Sequence, residues 1–209
     1  ILKNANYTVG LYTSPHLVHF NERIRVNGLP ISDDNILKFI SQVKPHLEAI
    51  KTTFFEATTA MAFWYFREKN VDVAIVETGL GGRLDSTNVL NPIQTIITSI
   101  AVDHSEILGE TIDEIAFEKG GIIKNGIPLI LANQEPTVIN ILKNRAKQKN
   151  SSVFTLNNSS IETTVNINAL TRFHVNGISF FTPLKGYHQG MNAAISVLSI
   201  NHFDPEISK

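Results

Sequence analysis

Val71-Asp72-Val73-Ala74-Ile75-Val76 runs directly into Glu77-Thr78-Gly79-Leu80-Gly81-Gly82-Arg83-Leu84-Asp85. A short β-branched run with little polar alternation is how a strand covered on both faces looks, and the glycines after it mark a tight exit loop. Ile93–Val102 and Ile127–Ala132 repeat the pattern. Thr111–Lys119 and Glu135–Lys149 read as helices in the same region. Strands alternating with helices argue for right-handed βαβ crossovers. The fold class expected is α/β, a mostly parallel sheet flanked by helices.

Upstream of that stretch, Thr8–Thr13 reads as a strand, followed by a loop from Ser14 and a short strand ending in the Asn27-Gly28 turn signal. Ser32-Asp33-Asp34 offers caps to a helix whose apolar stripe is Ile36, Leu37, Ile40, Val43 and Leu47. Phe54–Arg67 is a second helix, apolar nearly all round and expected to lie against a sheet. Ile1–Asn6 reads as the tail of a helix. With Ile rather than Met at its start, the chain is expected to be a fragment of something longer.

Downstream of Asn150 the pattern changes. Val153–Leu156, Ile161–Ile167, Leu170–Val175 and Ile178–Thr182 read as short strands of a small antiparallel sheet over 151–182, with a hairpin turn at Asn176-Gly177. Gln189–Ile200 is a final helix. No internal repeat or low-complexity linker interrupts the chain, and its length of 209 residues suits one large domain.

Composition narrows the chemistry. Lys and Arg number 18 against 19 Asp and Glu, a formal charge of −1, which gives no sign of a nucleic-acid partner. Cysteine is absent, which removes disulfides, thiolate metal sites and a Cys nucleophile together. No apolar run approaches the roughly 18 residues a bilayer requires. A cytoplasmic setting without membrane attachment is the expectation, and catalysis must use oxygen and nitrogen groups.

In an open parallel sheet, ligands bind at the carboxyl ends of the strands. The first strand delivers Ser14, with Pro15 and His16 behind it; Val71–Val76 delivers Glu77; Ile93–Val102 delivers Asp103 and His104. A hydroxyl, a carboxylate and an imidazole could meet there around a hard divalent cation such as Mg2+, imidazole being the less usual member of the set. Each also has an ordinary reading. A strand-end carboxylate commonly caps the next helix, and an Asp-His pair is commonly a hydrogen-bonded loop. The Gly79–Arg83 segment fails the G-x-G-x-x-G spacing because position 84 is Leu84, and no G-x-x-x-x-G-K-[ST] occurs anywhere. Tight turning, with Arg83 and Asp85 projecting into the site, is the reading of that loop. Lys119 before Gly120-Gly121 reads locally as a cation at a helix C-terminus followed by a glycine stop.

Taken in order, Thr13-Ser14-Pro15-His16-Leu17, Phe20-Asn21-Glu22-Arg23-Ile24, Thr53-Phe54-Phe55-Glu56, Glu77 to Asp85, Asp103-His104, Leu108-Gly109, Glu118-Lys119 and Gly186-Tyr187-His188-Gln189 with Asn192 resemble folylpolyglutamate synthases and dihydrofolate synthases, members of the Mur ligase superfamily. The resemblance covers nearly the whole chain. It implies an enzyme that joins L-glutamate to dihydropteroate or a reduced folate, ATP first converting the acceptor carboxylate to an acyl phosphate. It also implies that Ser14, Glu77 and His104 are Mg2+ ligands, and that Lys119 carries a carbamate and serves catalysis with Glu77 and His104. Thr53, Phe55, Asp85 and Ser86 would hold the pterin-bearing substrate, Asn192 would contact the ATP base, and the full-length protein would be a monomer. Gly120 and Ser86 depart from the family, which often has Ala at both positions. The family's phosphate loop and C-terminal domain are expected to lie outside this chain, so that the chain alone neither binds ATP well nor turns over. Two alternatives stay open: a non-catalytic truncated binding module, and a Mur-type ligase acting on a peptide precursor.

Overall fold

The computed structural model describes residues 1–156, 164–165, 170–175 and 177–208. They form two compact units, Ile1–Leu90 and Asn91–Lys209. Of the strand read at Ile161–Ile167, only 164–165 are described, and Asn176 of the hairpin signal lies outside the described residues.

The first unit is a four-stranded sheet in the order β3-β2-β1-β4. Strand β1 (Val9–Tyr12) runs antiparallel to β2 (Ile24–Val26) and parallel to β4 (Val73–Val76), while β3 (Leu29–Pro30) pairs with β2 on the outer side. The two-residue β2–β3 connection is Asn27-Gly28, with φ of 52° and 84°. Both residues are left-handed, as a hairpin turn matched to strand twist requires. Two helices, α1 (Asp33–Ile50) and α2 (Phe54–Glu68), carry the chain across to β4. The Ser32 hydroxyl caps α1 by accepting from the Asn35 N–H, and Asp33 and Asp34 sit in its first turn, where the helix dipole favours negative charge. Tyr12, Ile24, Ile31, Phe39, Met61, Ala62, Tyr65 and Phe66 form the core. Each large apolar side chain buried there stabilises the unit by about 1.5–3 kcal/mol. The segment read as a helix tail at the start is a 3-10 turn over Leu2–Ala5.

The second unit is built on a fully parallel sheet in the order β5-β6-β7: Thr95–Ile97, Leu129–Leu131 and Val153–Thr155. Strand β6 is buried on both faces. Leu129 and Leu131 join Ala116, Ile123, Val138, Leu142 and Ala146, whereas Ile130 points the other way into Phe173, Val175, Ala194 and Ile195. The first set comes from α4 (Ile112–Lys119) and α5 (Pro136–Gln148) with the turn that follows α4; a short α3 (Ser105–Leu108) precedes α4. The second set comes from α6 (Tyr187–Phe203) and from β9 (Thr171–Val175), which lies between β8 (Thr164–Val165) and β10 (Ile178–Thr182) in an antiparallel sheet.

Two strand readings need correction. Val153–Thr155 pairs parallel with β6 instead of joining the antiparallel sheet, because α5 returns the chain to the same end of the sheet. The strand read over Ile93–Val102 is only Thr95–Ile97. Beyond it the backbone is held by a side chain: Gln134 accepts from the Ile100 N–H at 2.7 Å and donates to the Thr98 carbonyl at 2.6 Å. Gln134 satisfies those groups where a ladder would otherwise do so. Among the described residues no helix is long and apolar enough to cross a membrane.

Candidate functional site

Strand β1 ends at Tyr12 and β4 at Val76, side by side and parallel, so both chains leave the sheet at the same edge. The Glu77 N–H donates to the Tyr12 carbonyl at 3.0 Å, continuing the ladder by one step. The Ser14 N–H then donates to Glu77 Oε2 at 2.9 Å. Ser14 and Glu77, expected as partners from positions 63 apart, are thus joined at one sheet edge. The second carboxylate oxygen, Oε1, has no hydrogen-bond partner among the described residues. A solvent-facing carboxylate with one oxygen tethered and the other open, next to a serine, is a donor arrangement suited to a hard cation.

The glycine loop after Glu77 is folded around Asp85. Its Oδ2 accepts from the N–H groups of Gly79 and Leu80, both at 2.8 Å. Its Oδ1 accepts from the N–H of Thr87 at 2.9 Å and from the Thr87 hydroxyl at 2.5 Å. A carboxylate has about four acceptor sites, and all four are used within the loop. The structure therefore places Asp85 as the loop's brace, capping the 3-10 turn Ser86–Val89. Its carboxylate is spent within the loop, where the sequence had suggested a side chain projecting into the site.

Phe55 covers that loop. A Cβ built on Gly79 would stand 2.3 Å from Phe55 Cζ, so only glycine admits the ring. Phe55 also stacks on Tyr12, with centroids 6.0 Å apart and planes at 30°. Thr53 fixes the start of α2: its hydroxyl accepts from the Glu56 N–H at 3.2 Å, while Glu56 Oε2 takes hydrogen bonds from the Thr53 hydroxyl and N–H. These bonds, the hydroxyl's foremost, hold the Glu56 carboxyl below its usual range. Tyr12 is wholly buried, and burial pushes its phenol up. A hydrogen bond with Thr59 and the charge of Arg23 oppose that shift.

Two residues beside this platform carry no assigned role in the sequence reading. Arg23 Nε donates to His16 Nδ1 at 2.9 Å, and the guanidinium lies 5.5 Å from the Phe54 ring centroid. Phe54 is 63% exposed, and Phe20 meets both Phe54 and His16 edge-on. The only visible signal was an arginine and a histidine within an aromatic-bearing loop. That loop is braced by Glu22, whose carboxylate accepts from the N–H groups of Leu17, Val18 and His19 at 3.1, 3.2 and 2.9 Å. The bond from His19 leads in holding the Glu22 carboxyl below its usual range.

The remaining expected residues belong to the second unit. His104 opens α3 with a left-handed φ of 52°, its N–H donating to Asp103 Oδ1 at 2.8 Å and its Nε2 lying 3.7 Å from Asp103 Oδ2. The imidazole and its neighbouring acid are largely solvent-exposed, so the ring is available. It stands in a loop seven residues past the end of β5 at Ile97, not at the strand's end. Lys119 is the half-buried last residue of α4. A Cβ on Gly120 would lie 3.1 Å from Arg145 Cδ and Leu142 Cδ2, which explains the small residue there. Asn192 is exposed near the start of α6. Among the described residues no three His, Asp or Glu side chains come together as a metal site; the expected set has one acid and one imidazole beside a hydroxyl.

A family model described as the Mur ligase middle domain matches residues 31–200. The Bacillus subtilis (strain 168) dihydrofolate synthase/folylpolyglutamate synthase is 43% identical over 219 aligned residues, covering 99% of this chain and 51% of that protein. The apo form of L. casei FPGS aligns with a TM-score of 0.88 at 32% identity, covering 98% of this chain and 54% of that one. An FPGS-AMPPCP-folate complex gives the same TM-score at 33% identity, with 98% and 54% covered. The chain spans about half the length of the curated relatives named. Since the domain model takes in most of its residues, from Ile31 to Ile200, the chain belongs to the Mur ligase middle-domain family.

Proposed function

We propose that this chain is part of an ATP-dependent ligase that joins L-glutamate to dihydropteroate or a reduced folate through an acyl phosphate. A carboxylate is a poor electrophile until one oxygen becomes a good leaving group, so such a reaction needs phosphoryl transfer to the acceptor followed by attack of the glutamate amine. The observation that carries this reading is the Ser14–Glu77 pair at the sheet edge in a unit that also presents the Phe55 ring. Ser14 and Glu77 are the residues of this unit that would hold Mg2+. Such an ion supplies neutralisation of charge on the transferring phosphoryl group.

The chain's own residues set the geometry. The Ser14 N–H fixes one oxygen of Glu77 and leaves the other open to a ligand. Phe55 and the exposed Phe54 offer flat apolar faces for a heterocycle, and an aromatic contact of this kind is worth about 0.5–1.5 kcal/mol beyond area burial. Thr53 and Ser86 remain the proposed polar contacts, and Asp85 supports the acceptor through the loop that it braces. In the second unit His104, Lys119 and Asn192 retain the roles that the resemblance implies: metal ligand, carbamate-bearing lysine and adenine contact. A cytoplasmic, monomeric full-length enzyme completes the proposal.

The test is a ligation assay on the full-length protein with MgATP and labelled glutamate, offering dihydropteroate or a reduced folate as acceptor. Glutamate incorporation that requires both ATP and Mg2+ is expected. Absence of incorporation with either acceptor would overturn the proposal in favour of a binding module.

A further inference from the structure

Arg23 is a half-buried cation whose position is fixed without an acid. Its Nε is committed to His16 Nδ1, and its flat face lies against the Phe54 ring. The Glu22 carboxylate next to it is occupied by three backbone N–H groups, and no carboxylate among the described residues pairs with the guanidinium. Because His16 Nδ1 accepts this bond, the neutral ring carries its proton on Nε2, a further donor. The terminal guanidinium nitrogens and His16 Nε2 therefore form a preorganised donor set with no anion to satisfy it, beside the aromatic residues Phe20 and Phe54. Arginine in this state favours planar two-oxygen anions, which it meets bidentately.

The two proposed acceptors differ in this respect. Dihydropteroate carries one carboxylate, and that group is consumed by activation. A reduced folate carries a second, which takes no part in the chemistry. We propose that His16 and Arg23 form the subsite for this non-reacting carboxylate, and so set the preference for glutamylated acceptors over dihydropteroate. This rests on the ligase reading above and adds a specificity determinant to it.

The experiment compares Arg23→Gln, Arg23→Lys and His16→Gln with the wild type in the full-length enzyme, each checked by thermal melting, with both acceptors. Expected for Arg23→Gln is a fall of at least about tenfold in the ratio of kcat/KM for the reduced folate to kcat/KM for dihydropteroate, carried mostly by the folate KM. Arg23→Lys keeps the charge but loses the Nε bond to His16, so the ratio recovers only in part; His16→Gln falls between the two. A loss of the same size with both acceptors, or an unchanged ratio, overturns the subsite. Variants that melt cooperatively at the wild-type temperature make such a result a statement about binding. A wild type that ligates neither acceptor overturns the ligase reading, and the subsite with it.

Discussion

The Phe55 ring lies on Gly79 so closely that a Cβ there would stand 2.3 Å from its Cζ. One is the second residue of α2 and the other lies in the loop after β4, so this contact locks a helix start to the candidate site. Gly79→Ala must displace an aromatic ring that also stacks on Tyr12. Overpacking of this kind costs about 1–3 kcal/mol. A lower melting temperature and a raised acceptor KM are expected in the full-length enzyme. Adding Phe55→Leu should restore part of the stability, the two sites being in contact and so non-additive. A fully additive double variant would mean that the ring does not press on the glycine.

Asp85→Asn separates two roles for that side chain. The amide keeps one acceptor oxygen and replaces the other with a donor that faces N–H groups or the Thr87 hydroxyl. Unmade buried or half-buried hydrogen bonds cost about 1–3 kcal/mol. A brace predicts a lower melting temperature together with faster amide exchange at Gly79, Leu80 and Thr87. A residue acting only on the substrate would raise KM and leave both stability and exchange alone.

Three carboxyls are held below the ordinary value of 4.5 by local hydrogen bonds: Glu22 by the N–H of His19 foremost, Glu56 by the Thr53 hydroxyl, and Glu114 by the Thr111 N–H. A depressed folded value means that the ionised form is preferred in the fold. The stabilisation is thus complete above the unfolded value and is lost as pH falls through the folded one. Stability is expected to be flat in these groups above about pH 5 and to decline below 4.5. Glu22→Gln should flatten part of that acid limb, measured by denaturation midpoints from pH 7 to pH 3. An acid limb identical to that of the wild type would show that the Glu22 bonds to the loop do not persist in solution.

Much of this was legible from the chain. The β-branched runs located β4, β5 and β6, Asn27-Gly28 marked the β2–β3 hairpin, and Ser32 marked the start of α1, because these signals act over a few residues. Val153–Thr155 was misassigned because a strand of three residues has no period to read; its parallel pairing is set by α5, not by its own sequence. Ile93–Val102 looked like a longer strand because Ile100 and Val102 are apolar, whereas Gln134, far along the chain, satisfies the backbone there. Strand order anticipated that Glu77 and Ser14 leave the sheet at the same edge. The inward turn of Asp85 and the Arg23–His16 pair depend on side-chain packing that spacing alone does not encode.

Glu77→Gln tests the charge without disturbing the frame. The amide oxygen of Gln can still accept from the Ser14 N–H, and the Glu77 N–H still donates to Tyr12. Loop and sheet edge should therefore keep their geometry, and the melting temperature should move little, as for a solvent-facing isosteric change. What disappears is the negative charge available to a cation at the open oxygen. A neutral amide is a weaker ligand for a hard ion, so both the Mg2+ concentration for half-maximal rate and the rate at saturation should suffer. The fall in turnover is expected to reach roughly a hundredfold, the scale on which removing one electrostatic group from an active site acts. Full-length enzyme assayed across a Mg2+ titration gives the answer. Unaltered turnover with an unaltered Mg2+ requirement would remove Glu77 from any metal-binding role, leaving its carboxylate as a backbone acceptor for the Ser14 turn.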